Sequence, residues 1–259
     1  MNSLLKEERQ RLILEALQEN KKVAVHELSR RFGTSEVTIR RDLQEMASDG
    51  MLRRAHRGAI LVNPAPPEPP VMHRMALDQH EKEAIARAAA ELVCDGDSIF
   101  IGSGSTTAYL ARHLAGRKHL TVVTNALNIA ADLALANETI TTVVTGGVVR
   151  PDELSLLGHI VELTLPEVRV EKVFMGMQAI SIEGGLTTDH LPEVAIARKI
   201  FEMAPELIVL ADHSKLNCMA AAYIAPVTRM TTLITGAGAN GQFLTQLEQL
   251  GIHVIQAEV

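Results

Sequence analysis

The N-terminal architecture of the chain is set by Gly33-Thr34-Ser35-Glu36-Val37-Thr38-Ile39-Arg40-Arg41-Asp42-Leu43. Gly33 tolerates the positive φ that commonly ends a helix, and Ser35 is a preferred N-cap residue. Ile39 and Leu43 lie four residues apart, which is the spacing of one helix face. The segment therefore predicts a short turn between two helices, the second of which begins after Ser35.

The neighbouring residues extend this pattern in both directions. Apolar residues at helical spacing predict a first helix over residues 4–19 and a second over 26–32. Beyond the third helix, residues 52–55 and 59–62 predict two short strands around a basic turn. Two helices joined by a Gly-containing turn and followed by such a hairpin are typical of a winged helix-turn-helix.

The outer face of the third helix carries groups that suit base edges. Arg41 and Gln44 can hydrogen-bond guanine and adenine, while Val37 and the Thr38 methyl can contact a thymine methyl. A structural helix rarely shows such a stripe without acidic partners. We predict that this helix enters the major groove of double-stranded operator DNA while the wing and two lysines contact phosphates. The predicted DNA-binding residues are Lys21, Lys22, Ser35, Glu36, Val37, Thr38, Arg40, Arg41, Gln44, Arg53, Arg54, His56 and Arg57.

Charge and composition support a nucleic-acid partner for the N-terminal region alone. Residues 1–62 carry 12 Lys and Arg against 9 Asp and Glu, whereas the whole chain carries 25 against 31. A locally basic region in an acidic chain favours a polyanion partner, although a solvated charged surface is the alternative. The sequence has no apolar run long enough to predict a membrane span, and its two cysteines form no CxxC pair. We expect a reducing cytosol and no metal or cofactor.

A proline-rich stretch separates this region from the rest of the chain. Residues 63–70 contain five prolines, which disfavour a helix and form a semi-stiff spacer. The predicted organisation is a DNA-binding domain over 1–62, a linker over 63–77 and a second domain over 78–259.

The second domain alternates apolar strands with helical patterns. Such alternation predicts an α/β fold whose mostly parallel sheet has helices on both faces. Ligands of these sheets bind at the carboxyl ends of the strands. The predicted strands are residues 98–101, 120–124, 141–145, 172–177, 207–211, 233–235 and 252–255.

One strand-to-helix loop in this domain is suited to an anion. Residues 102–107, Gly-Ser-Gly-Ser-Thr-Thr, combine glycines, hydroxyls and a following helix N-terminus. The loop lacks the Lys of a nucleotide-binding P-loop, so a small phosphorylated molecule is favoured, and a tight structural turn is the alternative. Asn125, Gly146 and Gly147 follow neighbouring strands and are predicted to line the same pocket.

These motifs resemble those of the DeoR family of bacterial transcriptional regulators. The N-terminal match is Ser35 to Leu43 with the wing at 53–59, although family members usually have two glycines where this wing has Arg57-Gly58. The resemblance spans nearly the whole chain and includes the effector-domain stretches 101–107, 121–129, 145–150, 154–158, 184–188 and 210–216.

The resemblance implies a cytosolic repressor of a sugar or polyol catabolic operon that responds to a phosphorylated sugar or polyol. It also implies an effector domain with the ribose-5-phosphate isomerase fold. In this chain the loop would hold phosphate, Asp212 and Lys215 would face the sugar, and Glu193 is a weaker candidate. The predicted effector-binding residues are Ser103, Gly104, Ser105, Thr106, Thr107, Asn125, Gly146, Gly147, Glu193, Asp212 and Lys215.

Oligomerisation and catalysis are the remaining questions. A homo-oligomer, either dimer or tetramer, is expected because one small DNA-binding domain supplies little specific affinity. Family members often have two acids where this chain has Gln178 and Ser181, so turnover is not expected. The alternatives are a phosphosugar isomerase with a fused DNA-binding domain, using Asp189, Glu193 or Asp212, and a metal site built on those acids with His190 and His213.

Overall fold

The computed structural model describes residues 5–20, 22–48, 52–55, 57–61 and 65–258. The chain divides into two compact units, Met1–Pro64 and Ala65–Val259.

The N-terminal unit is a winged helix-turn-helix, as predicted. Its three strands form one antiparallel sheet in the order β1-β3-β2, of which β2 and β3 are the wing. The elements are α1 (Lys6–Asn20), β1 (Lys22–Ala24), α2 (Val25–Phe32), α3 (Glu36–Ser48), β2 (Leu52–Ala55) and β3 (Gly58–Leu61).

A small aliphatic core holds the three helices together. Ile13 of α1 packs with Ile39 and Leu43 of α3, and all three side chains are fully buried. A buried ion pair also joins the two helices, because Arg9 Nη2 donates to Asp42 Oδ1 at 3.0 Å. The orientation of α3 therefore depends on its inner face, which leaves its outer face free for contacts.

The C-terminal unit is an α/β domain with a seven-stranded sheet. All neighbouring strands run parallel, in the order β15-β14-β12-β9-β4-β5-β6. The elements are α4 (Val71–Ala76), α5 (Gln79–Glu91), β4 (Ser98–Ile101), α6 (Ser105–His113), β5 (Thr121–Thr124), α7 (Leu127–Ala136), β6 (Thr141–Val144), β7 (Val148–Arg150), β8 (Ser155–Leu157), α8 (His159–Thr164), β9 (Lys172–Gly176), β10 (Ala179–Ser181), β11 (Gly185–Thr188), α9 (Leu191–Glu202), β12 (Glu206–Leu210), β13 (Ala222–Ala225), β14 (Thr232–Gly236), α10 (Gly241–Gln249) and β15 (His253–Ala257).

Helices cover both faces of this sheet. Ile99 and Ile101 of β4 point into one hydrophobic cluster with α5, α6 and α7. Phe100, between them, points into a second cluster with α8, α9 and α10. The predicted parallel α/β architecture is thus confirmed.

Two small antiparallel sheets were not predicted. β7 and β8 form a hairpin directly after β6, and β10, β11 and β13 form a three-stranded sheet beginning just after β9. These strands have only three or four residues each, which is too short for a clear alternation of apolar and polar residues. Both sheets follow the carboxyl ends of strands in the main sheet. No helix among the described residues is long and apolar enough to cross a membrane.

The linker predicted over 63–77 is wrong for its described part. Residues 65–77 belong to the C-terminal unit and include α4. Val71 and Met75 are buried, and the Val71 amide donates to the Asp152 carbonyl at 2.7 Å. The prolines prevent a helix within their own stretch, but α4 begins immediately after the last of them.

The buried ion pair in the N-terminal unit generates a stability prediction. We expect Asp42→Ala to lower the free energy of unfolding of this unit by about 3 kcal/mol, because it removes a carboxylate that accepts two hydrogen bonds from the buried Arg9 guanidinium. Glu15→Ala is the control, since Glu15 forms an exposed pair with Arg11 at 3.2 Å. Urea denaturation followed by circular dichroism measures both effects. Equal losses in the two variants would show that burial of the pair has no energetic consequence.

Candidate functional site: the outer face of α3 and a polar pocket

The outer face of α3 exposes the side chains predicted to contact bases. The Val37 side chain is 76% exposed, and that of Arg41 is 81% exposed. Ser35 caps the helix, because its hydroxyl accepts a hydrogen bond from the Thr38 amide at 3.2 Å. The first turn of α3 is therefore well ordered by its cap while its outer side chains remain accessible.

The expectation that this stripe has no acidic partners is wrong. Arg40 Nη2 lies 3.2 Å from Glu36 Oε2, and Arg41 Nε lies 3.5 Å from Glu45 Oε1. Both acids lie four residues from their arginine, a spacing that places side chains side by side on a helix. Exposed pairs of this kind contribute between 0 and about 1 kcal/mol, so the arginines can exchange these partners for DNA.

The wing is attached to α3 by a side chain that was predicted to contact DNA. Arg54 Nη1 donates to the Arg40 carbonyl at 3.0 Å and to Gln44 Oε1 at 3.3 Å. Arg54 and Gln44 thus help to position the wing. Lys22 and Arg57 are exposed. Of the other predicted contacts, Lys21, His56 and the side chain of Arg53 lie outside the described part of the structure.

A polar pocket lies at the carboxyl ends of the parallel strands in the C-terminal unit. Its walls come from the loops after β4, β5, β9 and β12, together with α9 and the segment before α4. Apolar side chains of β9, β12 and α9 also line it. The lining residues are Glu68, Arg74, Ser103, Gly104, Ser105, Thr106, Asn125, Glu153, Leu157, Met175, Gly176, Met177, Gln178, Thr187, Thr188, Glu193, Ile196, Ala197, Ile200, Leu210, Ala211, Asp212, Lys215 and Ile224.

The loop after β4 presents a helix N-terminus to this pocket. Gly104 has φ 149°, a conformation that L side chains rarely adopt, and α6 begins at the next residue. Ser105 and Thr106 line the pocket from the first turn of α6, where backbone amides have no acceptor within the helix. Asn125 Oδ1 accepts from the Ser103 amide at 3.2 Å and fixes the loop against β5. The arrangement suits an anion.

Three residues predicted to bind effector do not line this pocket. Thr107 is fully buried, and its hydroxyl donates to the Gly104 carbonyl at 3.0 Å, so it stabilises the loop from behind. Gly146 and Gly147 lie beside α8 and β8. A Cβ atom on Gly147 would lie 2.6 Å from the Leu157 carbonyl oxygen, which explains the glycine there by packing.

Charged side chains form the other wall of the pocket. Lys215 Nζ and Arg74 Nη1 both contact Glu68 Oε1, at 2.8 and 2.9 Å. Arg74 Nη2 also pairs with Glu153. Glu193, a predicted site residue, pairs with Arg150 at 2.5 Å. The cations that face the pocket are thus already paired with carboxylates of the protein.

Sequence analysis missed Glu68, Arg74 and Glu153. The first two fall in the stretch assigned to the linker, and Glu153 lies in the turn between β7 and β8. One signal was available for Glu68, because it is the only charged residue among the prolines of 63–70. Nothing in the sequence indicates that Arg74 turns toward the strand ends.

The polar groups that could serve catalysis are occupied. Gln178 Nε2 donates to Asp189 Oδ2 at 2.6 Å, and Gln178 Oε1 accepts from the Asp189 amide at 2.8 Å. Asp212 Oδ1 accepts from the Ser214 amide at 3.0 Å, and the Ser181 hydroxyl accepts from the Gly184 amide at 3.0 Å. These hydrogen bonds stabilise turns, and Asp212 Oδ2 lies 4.0 Å from Lys82 Nζ.

The histidines considered as metal ligands each contact a different glutamate. His213 Nδ1 lies 2.7 Å from Glu81 Oε2, and this hydrogen bond raises the pKa of His213. His190 Nδ1 lies 3.9 Å from Glu193. Within the described ranges, no group of three or more His, Cys, Asp and Glu residues could hold a metal ion.

Glu153 titrates far from its ordinary range. Burial raises the pKa of Glu153 to about 7, and the charges of Glu68 and Glu193 act in the same direction. The cations Arg74 and Arg150 oppose the shift but do not cancel it. The pocket wall therefore changes charge near neutral pH.

Comparisons with known proteins agree on one family. The model of the DeoR-like helix-turn-helix domain matches residues 9–65, and the model of the DeoR C terminal sensor domain matches residues 77–237. The HTH-type transcriptional regulator GolR of Listeria innocua is 32% identical over 97% of this chain and 98% of its own length. The transcriptional repressor AccR of Agrobacterium fabrum is 30% identical over 94% and 95%.

The comparison with solved structures found partial matches. Ribose 5-phosphate isomerase A of Methanocaldococcus jannaschii matches with a TM-score of 0.40 at 21% identity, over 54% of this chain and 55% of that one.

The pKa of Glu153 predicts a pH effect on stability. Its folded-state pKa of about 7 lies above the ordinary value of 4.5, so stability from the protonated form is lost as pH rises through 7. Between pH 5 and 8 we expect Glu153→Gln to gain about 2 kcal/mol relative to the wild-type protein. Chemical denaturation at each pH measures this. Glu138→Gln, in an exposed turn, should show the same dependence of the free energy of unfolding on pH as the wild-type protein. If Glu153→Gln also shows the wild-type dependence, the raised pKa of Glu153 is refuted.

Proposed function

The chain belongs to the DeoR family of transcriptional regulators, and from this premise we propose that it represses a sugar or polyol catabolic operon under the control of a phosphorylated effector. The observation that carries the proposal is the N-terminus of α6, which faces a polar pocket through Ser105 and Thr106. We further propose that it acts in the cytoplasm as a homo-oligomer on paired half-sites, since pairing multiplies the modest affinity of one unit.

The assignment as a repressor is supported by relatives. AccR and the repressor GlcR of Bacillus subtilis are each 30% identical to this chain over nearly its whole length. These and other relatives are named as transcriptional regulators or repressors, and the chain is a regulator rather than an enzyme. The occupied side chains of Gln178, Ser181 and Asp212 are consistent with a pocket that binds without turnover.

The effector class is argued from the chemistry of the pocket. Free amides at a helix N-terminus and two small hydroxyls are suited to the oxygens of a phosphate group. The opposite wall carries carboxylates and cations that can hydrogen-bond sugar hydroxyls. Apolar side chains of Met175, Ile196 and Leu210 form the floor, as is usual for small-molecule sites. A phosphorylated sugar or polyol matches all three features.

Operator recognition through α3 yields a mutational prediction. We expect Arg41→Ala to weaken binding to an operator selected from random DNA by about 1–3 kcal/mol and to relax preference at one base pair. Arg11→Ala is the matched control, because Arg11 is also an exposed arginine paired with a glutamate four residues away. Gel-shift titration measures the affinity for the operator, and a new selection from random DNA with each variant measures the base preference. An Arg41→Ala protein with wild-type affinity and preference would exclude this residue from base contact.

The phosphate loop yields a second prediction. We expect Gly104→Val and Thr106→Ala to abolish or weaken effector binding, because they block or remove groups around the α6 N-terminus. A bound effector at 100 times its Kd should stabilise the wild-type protein by about 2.7 kcal/mol. A thermal-shift screen of phosphorylated sugars and their unphosphorylated counterparts measures this, with the exposed Thr245→Ala on α10 as control. Equal responses to both sugar forms would contradict the proposal.

A further inference from the structure

The segment that leads from the N-terminal unit into the C-terminal unit places one carboxylate in the pocket. Glu68 lies among prolines, of which Pro66, Pro67 and Pro70 are exposed. The Glu68 side chain, in contrast, is only 17% exposed and lines the pocket. The backbone thus follows the surface while the single charged side chain turns inward.

Two cations hold this carboxylate. Glu68 Oε1 lies 2.8 Å from Lys215 Nζ and 2.9 Å from Arg74 Nη1. The side chains of Lys215 and Arg74 are 12% and 10% exposed, so both charges are largely removed from water. Buried cations require a nearby anion, because an unpaired charge carries a large desolvation penalty. Arg74 and Lys215 therefore form a site for one shared anion, and the Glu68 carboxylate is that anion in this structure.

The Glu68 carboxylate is the pocket anion that can leave most readily. Glu193 lies on α9, and Glu153 lies in a hairpin turn packed on Arg74. Residues 65–70 belong to no helix or strand. Within this segment, the Ala65 amide donates to the Met219 carbonyl at 2.9 Å, and Arg74 Nε donates to the Pro69 carbonyl at 2.9 Å. Release of Glu68 would break few hydrogen bonds and no regular structure.

We propose that Arg74 and Lys215 form an anion subsite that Glu68 occupies in the absence of effector, and that an anionic group of the effector displaces the Glu68 carboxylate. The proposal rests on the proposed function, since it concerns the same pocket. The proposal requires that the effector group that reaches Arg74 and Lys215 is negatively charged. That group is a carboxylate, a second phosphate or the single phosphate of the effector. Displacement would release residues 65–70, which Glu68 restrains, so ligand binding would change the mobility of this segment.

Matched ligands test the displacement. The probes are 3-phospho-D-glycerate, which carries a phosphate and a carboxylate, and sn-glycerol 1-phosphate, in which a hydroxymethyl group replaces the carboxylate and the configuration at C2 is the same. Titration calorimetry compares the wild-type protein with Glu68→Gln and with the exposed control Glu138→Gln. When a protein carboxylate occupies the subsite, the apparent Kd equals the intrinsic Kd divided by the fraction of molecules in which the subsite is open. Because Glu68→Gln removes that carboxylate, we expect the variant to bind 3-phospho-D-glycerate about tenfold more tightly.

The probe that responds identifies the displacing group. A gain for 3-phospho-D-glycerate alone assigns the subsite to a second anionic group, and a gain for both probes assigns it to the phosphate; either result supports the proposal. If Thr106→Ala weakens binding while Glu68→Gln binds no more tightly than the wild-type protein, the subsite is refuted and the proposed function stands. If Thr106→Ala has no effect while Glu68→Gln gains, the phosphate loop is refuted and the subsite stands.

A measurement without ligand keeps the proposal falsifiable when neither probe binds. Hydrogen exchange of the amides in residues 65–77 should be about tenfold faster in Glu68→Gln than in the wild-type protein, since the carboxylate no longer restrains the segment. The Glu138→Gln control should match the wild-type protein. When neither probe binds, unchanged exchange in Glu68→Gln would overturn the proposal.

Discussion

The pocket of the C-terminal unit depends on one constraint, which is that seven strands run parallel. Every strand then ends at the same edge of the sheet, and the loops that follow β4, β5, β9 and β12 converge there. The same direction makes α6 begin at this edge, so its N-terminal amides face the pocket. The antiparallel hairpin β7–β8 contributes Glu153 to the same edge. The strand topology therefore determines where the loops and the α6 N-terminus meet, whichever side chains the loops carry.

Charge balance is the second determinant of this pocket. Three cations pair with carboxylates at hydrogen-bonding distance, so the protein itself balances the charge of this wall; they are Arg74, Lys215 and Arg150. An anion that enters such a wall must either bring a proton or replace a carboxylate. Glu153, with its pKa of about 7, offers the first route, and Glu68 offers the second. A pocket built in this way responds to the charge of its ligand as well as to its shape.

Sequence patterns predicted those parts of the structure in which local chemistry decides the conformation. The positive φ at Gly33, the Ser35 cap and the apolar period of α3 are local, and so the helix-turn-helix was predictable. The loop from Ser103 to Thr106 was predictable for the same reason. Glu68 and Arg74 were missed because their place in the pocket depends on contacts with residues as distant as Lys215. Thr107 was predicted to bind effector, and its position in the loop does not reveal that its hydroxyl turns inward to the Gly104 carbonyl.

The acids on α3 bear on specificity in the proposed DNA interface. Glu36 pairs with Arg40, and Glu45 lies between Arg41 and Lys6, which weakens attraction to phosphates of any sequence. Exposed pairs contribute between 0 and about 1 kcal/mol, whereas a good bidentate contact with a base gives about 1–3 kcal/mol of discrimination. An arginine therefore gains by leaving its glutamate for a correctly placed guanine and gains less by leaving it for a phosphate. Acidic neighbours on the recognition helix thus favour discrimination over total affinity.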